Sequence, residues 1–141
     1  MTINLGGKLI HSKIPSGNSN IIGEGSSVLM LEKVNLKSRV DMIDSLYVYK
    51  KIGKINEDVI SVVNVENRTL EFHVHEKSDE LFYVIEGSFC LETEEGLIEL
   101  KEGELIIVPK GVRHRPVVKE LVKVMLIELD GTLNKENSGE I

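Results

Sequence analysis

Short runs of β-forming residues, separated by turn residues, fill the chain from residue 58 onward and limit its fold more than any other feature. Seven such runs read DVISVVNV, TLEFHVH, ELFYVIE, SFCLET, GLIEL, ELIIVP and LVKVMLIEL. The turns between them are marked by Gly87, Gly96, Gly103 and Gly111. Runs spaced about ten residues apart are typical of a β-sandwich or β-barrel. The sequence therefore predicts an all-β fold.

The chain before residue 58 carries weaker signals. Residues 15–27, PSGNSNIIGEGSS, are rich in glycine, serine and asparagine, which favours a loop. The glycine spacing in this stretch matches no phosphate-binding motif. Further on, SRVDMIDSLYVY has a weak helical spacing at Val40, Ile43 and Tyr47. We predict an irregular N-terminal arm and one helix in this part of the chain.

Two of the β-forming runs are apolar on both faces. Leu81, Tyr83 and Ile85 point one way along their run, whereas Phe82 and Val84 point the other way. The final run shows the same pattern. A strand that is buried on both faces needs a second layer outside it, and in a small chain that layer is often another subunit. We therefore predict a homodimer, with coverage by the N-terminal arm as the alternative.

Composition and charge exclude several classes of protein. The 141 residues are 41% hydrophobic and 28% charged, which is typical of a single globular domain. A net charge of -6 without a basic stripe argues against nucleic acid or an anionic membrane as a partner. The sequence has neither an apolar stretch of about 18 residues nor a signal pattern, so we expect a cytoplasmic protein. Cys90, in a strand-like run, is interpreted as a buried packing thiol.

Two histidines one residue apart, in the stretch HVHEKSDE, suggest a metal site. His73 and His75 lie at i and i+2 of a strand pattern, so both imidazoles project from one face, which Glu71 shares by parity. In an antiparallel pair, a short connection returns Glu80 to their side. His114 opens a later strand. The alternative interpretation is that these are unrelated polar residues at strand ends.

Three imidazoles and one carboxylate would form a mixed nitrogen and oxygen donor set. Such a set suits Mn, Fe, Co, Ni, Cu or Zn. It is a poor match for Ca or Mg, and it lacks the thiolates of most structural zinc sites. Four protein ligands would leave one or two positions for water or substrate, as catalysis at a metal requires. If the four side chains converge, the predicted cofactor is a divalent transition metal.

The spacing around these residues resembles two motifs of the cupin superfamily, H-x-H-x(3,4)-E-x(6)-G and G-x(5)-P-x-G-x(2)-H. The stretches HVHEKSDELFYVIEG and GELIIVPKGVRH match them residue by residue. Two positions depart from the wider pattern. Asn67 stands where a glycine often precedes the first motif, and asparagine tolerates the left-handed conformation of such a turn. Val118 stands where an asparagine commonly follows the second motif, at a position that holds no ligand.

The resemblance implies a double-stranded β-helix, which is a jelly-roll barrel with the metal near its wider mouth. Within the superfamily the chain is similar to single-domain cupins related to mannose-6-phosphate isomerase, through the stretches DELF, VPKGVRHRP and GTLN. Carried over position by position, the resemblance implies metal ligation by His73, His75, Glu80 and His114.

The same resemblance suggests the domain organisation and two functions. It covers residues 35–134, which leaves 1–34 as the N-terminal arm and 135–141 as a C-terminal tail. One function is a metal-dependent enzyme, of isomerase, epimerase or dioxygenase type, acting on a small oxygen-bearing metabolite. The other is a non-catalytic module that binds or senses a small molecule. The fold by itself does not decide between them.

Five side chains near the expected ligands have predicted positions. Phe82 and Val84 share the parity of the glutamate ligand, and Glu71 shares that of the two adjacent histidines, so all three are predicted to line a pocket. Arg113 and Arg115 flank the third histidine, and strand alternation points both away from the metal. We interpret these two arginines as solvated or as partners in a salt bridge across a dimer.

Overall fold

The computed structural model describes residues 31–132, which contain one short helix and two antiparallel β-sheets. The elements are α1 Leu36–Asp41, β1 Lys50–Ile55, β2 Asp58–Val65, β3 Arg68–Thr69, β4 Glu80–Glu86, β5 Ser88–Thr93, β6 Gly96–Lys101, β7 Leu105–Val108, β8 His114–Val118 and β9 Val122–Leu129. The five-stranded sheet has the order β1-β2-β9-β4-β7, and the four-stranded sheet has the order β3-β8-β5-β6. The predicted all-β jelly roll is confirmed. The expectations for the first 30 residues and for 133–141 lie outside the described residues.

The core lies between the two sheets because the strands alternate apolar side chains toward it. In β4, Phe82 and Val84 are buried, whereas Leu81 and Tyr83 are partly exposed. The strand β9 alternates in the same way along its whole length. Burying one such apolar side chain contributes about 1.5–3 kcal/mol. The apolar residues between the sheets therefore supply the stability that holds the polar site in place.

Most predicted strands are confirmed, with one informative exception. The strands β2, β4 and β5 begin and end where the sequence pattern places them. The predicted strand TLEFHVH is wrong over most of its length, because β3 ends at Thr69 and His73 forms only an isolated bridge. The chain crosses here from the four-stranded sheet, which holds β3, to the five-stranded sheet, which holds β4. A crossing segment cannot continue the ladder of the sheet that it leaves.

The N-terminal part of the described chain corrects the helix prediction. The helix α1 begins at Leu36, after Asn35, whose side chain accepts a hydrogen bond from the backbone nitrogen of Ser38. It ends at Asp41, so Tyr47, with a φ of 62°, lies well outside it. The following strand, β1, is not evident in the sequence because KKIGKI lacks apolar alternation. This strand lies at the edge of its sheet and is mostly exposed.

Two departures from the family motifs are accommodated as expected. Asn67 has a φ of 51°, in the left-handed region, and Val118 is buried in the core. The four predicted turn glycines all have a positive φ. Gly87 is the most tightly confined of them, because a Cβ atom there would lie 2.6 Å from the carbonyl oxygen of Leu121. The turn between β4 and β5 therefore requires glycine.

The outer face of the five-stranded sheet is apolar. In the strand register, Leu81 of β4 lies between Ile127 of β9 and Ile107 of β7. The exposed fractions of Leu105 and Ile107 are 55% and 54%. The sequence pattern that predicts a homodimer places apolar side chains on this face, and the structure has them there. The homodimer itself stays a prediction.

Two expectations from composition can be compared with the structure. Cys90 is partly exposed, and not buried as predicted, because it alternates along β5 with the core residues Phe89 and Leu91. Within residues 31–132, no helix has the length and apolar character needed to cross a membrane.

Candidate metal centre

The four predicted ligands come together between the two sheets. Glu80 is the first residue of β4 in the five-stranded sheet, and His114 is the first residue of β8 in the four-stranded sheet. His73 and His75 lie on the crossing segment between β3 and β4, and His73 forms a β-bridge with His114. One potential ligand atom from each residue lies within 4.8 Å of those of the other three. The crossing segment that breaks the predicted strand is thus what carries two of these side chains to the other two.

The carboxylate of Glu80 is the centre of this group. Its Oε1 atom lies 3.0 Å from Nε2 of His114 and 3.4 Å from Nε2 of His75. The ring centroid of His73 lies 4.9 Å from that of His75 and 4.5 Å from that of His114. Glu80, His75 and His114 are all less than 8% exposed. Three imidazoles and one carboxylate therefore occupy one small, mostly buried volume.

Backbone carbonyl groups fix the orientation of two of the imidazoles. The Nδ1 atom of His73 lies 2.8 Å from the carbonyl oxygen of Glu71, and Nδ1 of His114 lies 2.8 Å from that of Val112. A carbonyl oxygen can only accept, so each Nδ1 carries a proton and donates it. In the neutral ring this leaves the lone pair on Nε2. A hydrogen bond to one ring nitrogen is the usual means by which proteins orient a histidine for metal binding through the other.

The side chain of His75 provides a test of whether a metal fits. Its Nε2 atom is buried, and no residue in the described part of the chain offers it a well-oriented hydrogen bond. A buried polar atom without a partner costs about 1–3 kcal/mol. Coordination to a cation would satisfy this nitrogen together with the Glu80 carboxylate. The donor set of three imidazoles and one carboxylate fits a transition metal of the series from Mn to Zn.

The charges within the group favour the metal-binding forms of His73 and Glu80, whereas His114 holds a proton more strongly than a free imidazole does. Burial lowers the pKa of His73, and the neighbouring His114 and His75 act in the same direction, which keeps its ring neutral. Burial opposes ionisation of Glu80, but the hydrogen bond with His114 and the adjacent His75 ring outweigh it and hold the pKa of Glu80 well below its usual range. Burial likewise opposes the charging of His114, but the Glu80 carboxylate outweighs it and raises the pKa of His114. A metal that binds here therefore competes with a proton at His114.

A second buried carboxyl group lies beside the ligands. Glu128 is 4% exposed and lies directly opposite Glu80 in the pairing of β4 with β9. Neither of its carboxyl oxygens has a well-oriented hydrogen bond to another described residue. Burial and the negative charge of Glu80 raise the pKa of Glu128 to about 10. In the sequence, Glu128 shares the inward face of its strand with Val124 and Leu126. Residues on such a face are usually apolar, so a glutamate there is a signal of function.

The predicted pocket-lining residues have different environments. A cavity of about 40 Å³ lies inside the barrel, and Phe82 lines it. The ring of Phe82 also meets that of His114 edge-on, at 6.3 Å between centroids. Val84 is fully buried in the core, and the side chain of Glu71 is exposed. Neither residue lines the cavity, and Glu71 contributes its carbonyl group to the orientation of His73.

Other residues of the cavity wall come from the beginning of the barrel. Tyr47 and Tyr49 line it, and so does Arg68 of β3, whose guanidinium lies 5.2 Å from the centroid of the Tyr47 ring. The remaining lining residues are apolar. Phe82 therefore both lines the cavity and lies beside the His114 ring.

Comparison with proteins of known sequence agrees with this architecture. The chain spans about a third of the length of the two curated relatives described here. It is 29% identical over 90 residues to 3-hydroxyanthranilate 3,4-dioxygenase of Xenopus tropicalis, covering 59% of this chain and 32% of that protein. It is 25% identical over 118 residues to a protein of Saccharolobus solfataricus that carries a dioxygenase name, covering 82% of this chain and 31% of the other.

Family and structure comparisons converge on one fold family. The model of the cupin domain matches residues 60–129, a range that includes all four candidate ligands. The crystal structure of a cupin-2 domain containing protein from Shewanella frigidimarina is 31% identical and superposes with a TM-score of 0.64. That similarity covers 68% of this chain and 93% of the other. This chain belongs to the cupin family.

Proposed function

We propose that this protein is a metal-dependent dioxygenase that acts on a small oxygen-bearing molecule. The observation that carries the proposal is the convergence of three imidazoles on the Glu80 carboxylate, within 4.8 Å of one another. We assign the four ligand positions to His73, His75, Glu80 and His114. A divalent metal held there would supply open coordination positions for a substrate oxygen and for O₂.

The residues themselves support this assignment. The carbonyl group of Glu71 holds the protonated Nδ1 atom of His73, which leaves Nε2 of the neutral ring available to a metal. The carbonyl group of Val112 orients His114 in the same way, and a metal would replace the contact of its Nε2 with Glu80. Glu80 stays ionised because its hydrogen bond with His114 and the adjacent His75 ring lower its pKa. Neutral imidazoles and an ionised carboxylate are the protonation states that bind a metal.

The choice of a dioxygenase over an isomerase or epimerase is supported by the names of the two curated relatives. Each of them is about three times as long as the matched part of this chain, so the reaction is assigned here by proposal.

Oxygen uptake tests the proposal. The protein would be loaded with Fe(II) or Mn(II) under anaerobic conditions and mixed with a panel of small phenols, hydroxy acids and enediols in an oxygen-electrode cell. We expect one substrate class to start metal-dependent oxygen consumption that a chelator stops. The variant His75→Ala should be inactive, whereas His11→Ala, which changes a histidine outside both motifs, should match the unchanged protein. Isomerised or epimerised product without oxygen uptake would contradict the dioxygenase.

A second candidate is a non-catalytic cupin that binds a small molecule. The burial of Glu80, His75 and His114 favours it, because these side chains leave little room for a reacting substrate at the metal. Isothermal titration of the metal-loaded protein with the same panel separates the two candidates. Tight binding of a compound without turnover, in the presence of O₂, would support the binding module.

A further inference from the structure

The segment that carries His73 and His75 is held by few backbone contacts. It runs between the end of β3 at Thr69 and the beginning of β4 at Glu80. His73 exchanges two backbone hydrogen bonds with His114, and the carbonyl oxygen of His75 accepts one from the nitrogen of Gly111. No regular strand ladder fixes this segment within the described residues, so the position of its imidazoles depends on side-chain contacts as well.

The side-chain contacts closest to the ligands include those of Phe72, the residue before His73. The guanidinium carbon of Arg113 lies 4.2 Å from the centroid of the Phe72 ring, and that of Arg115 lies 4.3 Å from it. Both arginines point away from the metal ligands, as the sequence predicts. A guanidinium over an aromatic face is attracted by the negative charge of the ring face.

Glu92 of the neighbouring strand β5 and Glu94, in the turn after it, complete the arrangement. The Nε atom of Arg115 donates to Oε1 of Glu92 at 2.8 Å, and Nη1 of Arg113 lies 3.8 Å from Oε2 of Glu94. The Arg115 pair is about two-thirds buried, whereas the Arg113 pair is at least half exposed. The ion pair with Glu92 restricts where the guanidinium of Arg115 can lie, and therefore where it meets the Phe72 ring.

We propose that Phe72 is a positioning residue of the metal centre, which fixes His73 relative to His114 through its contacts with Arg113 and Arg115. The inference rests on the proposed metal site. Phe72 precedes His73 in the chain, and Arg113 and Arg115 flank His114. The contact between the ring and the arginines therefore links the two ligands through their covalent neighbours. A shift of the ring along β8 would change the separation of the two imidazoles, whose centroids lie 4.5 Å apart. Contacts that orient metal ligands typically change metal affinity by about 10–100-fold when they are removed.

Binding of Co²⁺ tests the inference, with affinity measured by competition against a chromogenic chelator and geometry by the visible d–d absorption. We expect Phe72→Leu to weaken Co²⁺ binding about tenfold and to alter the absorption spectrum. Phe72→Tyr retains the aromatic face, so it should bind within about twofold of the unchanged protein. The double variant Arg113→Gln and Arg115→Gln removes both cations without changing the core, and it should reproduce the effect of Phe72→Leu.

A matched control separates positioning from general destabilisation. Phe89→Leu makes the same chemical change in the core, where Phe89 is 5% exposed, and should lower the melting temperature while leaving the Co²⁺ spectrum unchanged. Normal Co²⁺ affinity and spectrum in the double arginine variant would overturn the inference while leaving the metal site intact. Equal losses in Phe72→Leu and Phe72→Tyr would also overturn it. Failure of the unchanged protein to bind Co²⁺ would overturn the proposed function and the inference together.

Discussion

His73 and His114 exchange both of their backbone hydrogen bonds, each with 3.0 Å between nitrogen and oxygen. This bridge joins the crossing segment to the first residue of β8, so it brings together ligands from the two separate sequence motifs. The centroids of the two rings lie 4.5 Å apart. The candidate metal centre therefore lies where the first residue of β8 meets the segment that leaves the four-stranded sheet.

Metal content should depend on the predicted ligands and not on histidine in general. We expect protein purified without a histidine tag to contain a transition metal, and His75→Ala to lose most of it, because the variant removes one of four ligands. His11→Ala is the matched control and should keep the metal. Elemental analysis by mass spectrometry measures the content, and circular dichroism checks that the fold is retained. Equal metal in His75→Ala and the unchanged protein would refute the ligand assignment.

The stability of the metal-free protein should fall as the pH rises through neutrality, because of Glu128. Its pKa is raised from 4.5 to about 10 in the folded state, so above pH 4.5 the unfolded chain releases a proton that the folded protein retains. The contribution of Glu128 to the free energy of unfolding is therefore fully present below pH 4.5. It is lost as the pH rises toward the pKa of the folded state, by up to about 1.4 kcal/mol per pH unit. Glu128→Gln cannot ionise and should lack this slope.

Urea unfolding of both proteins between about pH 5 and pH 8, with chelator present, measures the difference. The free energies of unfolding should diverge with rising pH, in favour of Glu128→Gln. If the free energies of unfolding of the two proteins changed in parallel with pH, Glu128 would be ionised in the folded protein.

The turn at Gly87 should tolerate no side chain. A Cβ atom would lie 2.6 Å from the carbonyl oxygen of Leu121, and the φ of 93° strains any L-residue. We expect Gly87→Ala to lower the free energy of unfolding by about 2 kcal/mol or more. Gly103 has a φ of 84° but open space around it, so Gly103→Ala should cost only about 1 kcal/mol. Equal losses in a urea titration would mean that the close contact relaxes without cost.

The outer face of the five-stranded sheet should mediate a homodimer. Leu81, Ile127 and Ile107 form an apolar row across three strands, and the side chain of Ile107 is more than half exposed. We expect light scattering to give about twice the chain mass of 15.8 kDa. Ile107→Lys places a charge in this row and should shift the protein toward monomer. A monomer at every concentration would instead favour coverage of this face within one chain.

Much of this architecture follows from local patterns. The strands β2, β4 and β5 lie where alternation and turn glycines place them, because each strand has one face that must be buried. The resemblance of two short stretches to the cupin motifs implies the four ligands, and these residues meet in the structure. Asn67 also takes the left-handed conformation that its motif position requires. These features depend on short stretches of chain, so the sequence determines them.

The tertiary structure decided which parts of the chain meet, and how. His73 and His75 were expected on a strand, but they lie on a segment that passes between the two sheets. Strand alternation therefore does not determine the direction of Glu71, whose side chain is exposed. Glu128 became a neighbour of Glu80 only through the pairing of β4 with β9. Such contacts join residues far apart in sequence, whose spacing carries no periodic signal. They depend on strand order and register, which the packing of the whole barrel determines.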